Sequence, residues 1–75
     1  MPKLPILTAQ KLVKALGRLG YKFDHQTGSH IILRNALPPY RRITVPDHTE
    51  IAKGTLLGII HEIGMTKEDF IASLH

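Results

Sequence analysis

Tyr21-Lys22-Phe23-Asp24-His25-Gln26-Thr27-Gly28-Ser29-His30-Ile31-Ile32-Leu33-Arg34-Asn35 is the stretch that decides the fold. It opens by alternation: Tyr21 and Phe23 are apolar while Lys22 and Asp24 are charged, the period-two mark of a half-buried strand. Gln26-Thr27-Gly28 offers a short turn, with a glycine free to take a positive φ. Residues 29–35 resume as a second strand. Pro38-Pro39 interrupt the chain, and Arg41 to Val45 form a third strand that ends at Pro46. Three consecutive strands with short connections predict an antiparallel meander.

Helical spacing appears on both sides. Thr8 is placed to cap a helix in which Leu12, Val13, Leu16 and Leu19 recur along one side, with Lys11, Lys14 and Arg18 on other faces. Gly20 suits the left-handed exit. Downstream, Ile51, Thr55-Leu56-Leu57, Ile59-Ile60 and Ile63 make an apolar helix that has Gly54 near its start and closes at Gly64. Thr66 then caps a short last helix with Phe70, Ile71 and Leu74, and Glu68 and Asp69 stand in its first turn where the dipole favours acids. The reading is an α+β fold, α-β-β-β-α with a terminal helical turn. A three-stranded antiparallel sheet carries the helices on one face and leaves the other wet.

The chain of 75 residues is read as one domain, 1–75. A domain this small buries only about 60% of its unfolded surface, so chemistry belongs on an open face rather than in a closed cavity. Cysteine is absent, which excludes disulfides, thiolate metal sites and a cysteine nucleophile. No apolar run approaches the roughly 20 residues that span a bilayer, and no signal-peptide core is apparent, so a soluble, cytoplasmic protein is expected. Residues 1–46 hold eight Lys/Arg against Asp24 alone, a charge of +7; residues 47–75 hold two against five acids, a charge of −3. Such asymmetry suits a polyanion on one side.

Alternation also assigns faces. Tyr21, Phe23, Ile31, Leu33, Ile43 and Val45 are expected to point at the helices. Lys22, Asp24, His30, Ile32, Arg34, Arg42 and Thr44 are expected on the open face. That gathers Lys22, Arg34 and Arg42 around one histidine, His30. His25, His30 and His48 lack a recognised ligand spacing, so neither metal nor cofactor is expected. His48, after Pro46 and ahead of a helix, reads chiefly as a hydrogen-bonded corner residue and secondarily as a support for the site. His25, His61 and His75 read as surface residues.

Three ordered motifs carry a resemblance. Gly28-Ser29-His30 at the hairpin, Thr44-Val45-Pro46-Asp47-His48, and Lys53-Gly54-Thr55-Leu56 opening an apolar helix resemble the HicA family of toxins, and the helix ending in Leu19-Gly20-Tyr21 is similar too. The resemblance covers nearly the whole chain. It implies a fold like the double-stranded-RNA-binding domain and ribosome-independent cleavage of mRNA. It also implies neutralisation by a HicB antitoxin encoded alongside, with DNA met only indirectly through the antitoxin complex. His30 then corresponds to the catalytic histidine, and Gly28 and Ser29 to the residues that present it. Asp47 departs from the pattern, standing where a basic residue is frequent; an acid there would repel phosphate.

The chemistry is consistent on its own terms. RNA carries its nucleophile, the 2′-hydroxyl, beside each phosphate. A base and nearby cations can cleave it without metal, and histidine is the natural base because it changes charge near neutral pH. Arg34, Arg42 and Lys22 are the expected charge stabilisers, Lys53 a phosphate contact at the edge, Ser29 an orienting or substrate-binding hydroxyl, and Gly28 a point of close backbone approach. The expected products are a 2′,3′-cyclic phosphate and a 5′-hydroxyl. His48, Lys53 and water all remain open as the leaving-group acid. Two other readings stand beside this one: a non-catalytic RNA-binding module of the same fold, and an interaction domain whose basic face meets an acidic protein.

Overall fold

A computed structural model of the chain describes residues 3–74, which leaves His75 outside the described residues. Helix α1 runs Ala9–Arg18. The Thr8 hydroxyl oxygen accepts a bond from the Lys11 amide at 3.1 Å, satisfying a donor that a helix start leaves orphaned. Leu19 ends the helix and Gly20 follows with φ +98°, a conformation that favours glycine.

Strands β1 (Tyr21–Thr27), β2 (His30–Asn35) and β3 (Arg42–Pro46) form one antiparallel sheet in the order β1-β2-β3. Thr27 pairs with His30, so the first hairpin turns on Gly28-Ser29, one residue later than the sequence suggested, and β2 begins at His30 rather than Ser29. Gly28 at φ +57° occupies the first central position, where a II′ turn requires it. Helix α2 (Lys53–Glu62) ends in a Schellman arrangement: Gly64 has φ +75° and the Met65 amide donates to the Ile60 carbonyl at 3.2 Å. Helix α3 (Lys67–Ser73) is capped by Thr66, whose hydroxyl accepts from the Asp69 amide at 3.0 Å.

One apolar cluster joins all of these. Leu12 and Leu16 of α1, Leu33, Ile43 and Val45 of the sheet, Leu56 of α2 and Phe70 of α3 are fully buried. Each such side chain contributes about 1.5–3 kcal/mol over an exposed one. In β3 the burial alternates strictly, so the helices cover one sheet face and leave the other bare. Among the described residues, no helix is long and apolar enough to cross a membrane.

Phe23 corrects one expectation. It pairs with Leu33 and so stands on the helix side of the sheet, yet it is 61% exposed. The reason is position: β1 is an outer strand, and only its first residue, Tyr21, is buried. Just beyond Phe23 the ladder slips, with Phe23 opposite Leu33 but His25 opposite Ile32, so Asp24 is the extra residue of a β-bulge. The slip moves His25 to the face of Ile32, the bare one, which strict alternation from Tyr21 would have denied it.

Candidate functional site

His30 is the first residue of the central strand and is exposed on the bare face. The turn before it is clamped from two directions. The Asp47 amide, at the end of β3, donates to the Ser29 carbonyl at 2.7 Å. Gln26 Nε2 donates to the Gly28 carbonyl at 3.1 Å and to Asp47 Oδ2 at 3.2 Å. The acid that interrupts the expected basic pattern is therefore engaged in holding the hairpin. A Cβ on Gly28 would meet open space, so the positive φ is what calls for glycine there.

The register sorts the bare face into three rows. Thr27, His30 and Pro46 lie across one end; His25, Ile32 and Thr44 lie across the middle; Lys22, Arg34 and Arg42 lie across the other end. The expected cationic residues are thus brought together, three abreast. They do not surround His30, which is four residues from Arg34 along β2, about 13 Å at the usual strand rise. Alternation reports a residue's face and is silent on its distance along the strand.

Between the two lies a group the sequence reading left as mere surface. Asp24 and His25 sit at the bulge, and His25 Nδ1–H donates to Asp24 Oδ2 at 2.6 Å. Arg34 Nε lies 3.6 Å from the other carboxylate oxygen. The hydrogen bond from His25 holds the Asp24 carboxyl below its ordinary value; partial desolvation opposes this, and the charges of Arg34, His25 and Arg42 add to the lowering. The signal available in the sequence was the Asp-His pair in a strand facing an arginine; the bulge that turns it outward had none.

Of the remaining expected residues, Lys53 lies apart, while His48 directly follows Asp47 of the hairpin clamp. Lys53 opens α2 and borders a small cleft with Glu50, Pro5 and Ile6. His48 borders another, about 170 Å³ in volume, where it lies with Asp47 and Thr49 against Thr8, Ala9 and Gln10 at the start of α1. The corner at His48 is fixed through its backbone: its amide donates to the Pro46 carbonyl at 2.8 Å, and its carbonyl accepts from the Ala9 amide at 3.0 Å. His61 is exposed, as expected.

A family model described as the HicA toxin of bacterial toxin–antitoxin systems matches residues 9–65. The chain belongs to the HicA toxin family. No curated protein matches it. The HicA match starts at the first residue of α1 and ends at Met65, so it spans the whole sheet, the clamped hairpin and the Schellman end of α2. As a HicA toxin, the protein is one component of a toxin–antitoxin system, and its partner is an antitoxin. Helix α3 lies past the matched segment, yet its Phe70 is fully buried in the same core.

Proposed function

We propose that this HicA toxin is a ribosome-independent endoribonuclease that cleaves mRNA, with His30 as the general base. The observation that carries the reading is an exposed histidine at the head of the central strand, on a turn clamped at Gly28 and Ser29, on the bare face that also carries the cationic row. His30 takes the proton of a 2′-hydroxyl, the oxygen attacks the adjacent phosphorus, and the 5′-oxygen leaves, giving a 2′,3′-cyclic phosphate and a 5′-hydroxyl. The chemistry requires no metal, because the substrate carries its own nucleophile.

The separation of about 13 Å changes the part played by the cations. Lys22, Arg34 and Arg42 hold a flanking phosphate rather than the reacting one, while the Ser29 hydroxyl, beside His30, orients the base or the substrate. Lys53, in its own cleft, is a peripheral phosphate contact, and His48 supports the corner. A HicB-type antitoxin neutralises the protein in the cytoplasm by covering the bare face, with acidic side chains opposite the cationic row.

Expression of the wild type should arrest growth, and His30→Ala should restore it with unchanged folding. In vitro, His30→Ala should slow RNA cleavage by about 10²–10⁴-fold, and wild-type cleavage should persist in EDTA. Equal toxicity of the two proteins would remove His30 as the base. Harmlessness of both, with RNA still bound, would establish the non-catalytic binding module instead.

A further inference from the structure

We propose that His25, held by Asp24, is the general acid of the RNA cleavage assigned to His30. The inference rests on that assignment and supplies the proton it lacks. When the 5′-oxygen leaves phosphorus it carries negative charge, and a positioned acid lowers that barrier. Lys53 borders a cleft with Glu50, Pro5 and Ile6, and His48 borders one that faces the start of α1 at Thr8, Ala9 and Gln10. His25 stands on the bare face with His30, because the bulge at Asp24 turns it there.

The register fixes the relation of the two rings. His25 faces Ile32 and His30 faces Thr27, so the histidines are diagonal neighbours on adjacent strands. Cα atoms in that relation are roughly 7–8 Å apart, close enough for two imidazoles to reach opposite sides of one phosphate. The Asp24 bond fixes which nitrogen works. Nδ1–H is committed to Asp24 Oδ2 at 2.6 Å, so Nε2 is the free atom of the ring, and in the imidazolium form it carries the second proton. The His25 bond itself favours the ionised carboxylate, and Arg34, at 3.6 Å from the other oxygen of Asp24, and Arg42 add to that preference. A carboxylate-held histidine with its far nitrogen turned outward is the arrangement in which a ring delivers a proton without tumbling.

The step balances. The 2′-hydroxyl proton passes to His30, the O2′–P bond forms, the P–O5′ bond breaks, and His25 Nε2 gives its proton to O5′. His30 leaves protonated and His25 neutral, and exchange with water restores both. The imidazolium of His25 also places a positive charge nearer the reacting phosphate than the row of Lys22, Arg34 and Arg42.

Two oligoribonucleotides of one sequence test this, one with the natural 5′-oxygen at the cleaved bond and one with a 5′-bridging sulfur. A thiolate leaves without a proton. On the oxygen substrate, His25→Ala should slow cleavage by about 10²–10⁴-fold, and Asp24→Asn by less. On the sulfur substrate most of both deficits should disappear, while His30→Ala should stay deeply impaired on both. His25, Asp24 and His30 are exposed, so all three variants should remain folded under the assay conditions. Equal deficits for His25→Ala on the two substrates, or none on either, would overturn the role of His25 while leaving His30 as base. A wild-type protein that cuts neither oligonucleotide would overturn the cleavage itself, and this proposal with it.

Discussion

β3 and β1 flank the same central strand and divide their residues differently. In β3 every second residue is buried: Ile43 and Val45 enter the core, while Arg42 and Thr44 face solvent. In β1 only Tyr21 is buried, and the remainder runs out beyond the helices. The bulge falls in β1, at Asp24. A strand whose side chains fill a core cannot slip by one residue without moving apolar groups into water. A strand released from that duty can accommodate an extra residue, and here the extra residue brings a hydrogen-bonded carboxylate–imidazole pair onto the bare face. Packing and polar chemistry are thus assigned to opposite edges of one sheet.

The largest expected effect breaks the comparison at its packing side. Ile43→Ala should destabilise the fold by about 2–5 kcal/mol, the range for a core isoleucine, whereas Phe23→Ala on β1 should stay within about 0.5 kcal/mol. Urea unfolding of the two variants measures both; equal losses would mean that β1 carries core weight its exposure denies. A smaller effect sharpens what β3 offers on its outer side. Arg42→Gln should raise KM roughly fivefold with kcat nearly unchanged, as expected for a flanking-phosphate contact worth about 1 kcal/mol. The slope of log affinity against log salt should also shrink by about 0.7, one phosphate contact on a single strand. A fall in kcat at constant KM would instead bring Arg42 into the reacting centre.

The smallest effect belongs to the bulge and concerns stability in acid. Asp24 has a lowered folded-state value, so the stability it contributes is present above its ordinary 3.8 and is lost as pH falls through the lowered value. Asp24→Asn lacks that contribution at every pH. Unfolding curves of wild type and variant should therefore differ near neutrality and converge as pH drops below about 4. A gap that persists at pH 2 would trace to something other than the charge.

Much of this arrangement was legible from residues alone. Thr8 and Thr66 announce the helix starts, Gly20 and Gly64 the left-handed exits, and the alternation through Arg42-Ile43-Thr44-Val45 places every residue of that segment on its observed face, because local signals and burial agree there. The unread features share a physical cause. Phe23 is apolar and in phase with the inward side, but exposure is decided by how far the helices extend over the sheet, which is tertiary. The bulge depends on strand pairing, so it has no local signature, and it alone made His25 look incidental. Face assignments placed Lys22, Arg34 and Arg42 correctly, yet suggested a cluster around His30 because a period of two carries no axial distance. The Gly28-Ser29-His30 motif was visible, whereas its fastening by Gln26 and Asp47 joins residues 21 apart in sequence.

That fastening has an experimental use. The Asp47 amide bonds to the Ser29 carbonyl across the tip of the sheet, so it can exchange with solvent deuterium only when the hairpin tip lifts away from β3. One backbone proton thereby becomes a native gauge of how often the His30 platform comes undone, readable in the free toxin and again with the antitoxin seated, with no label attached to the face where either partner would bind.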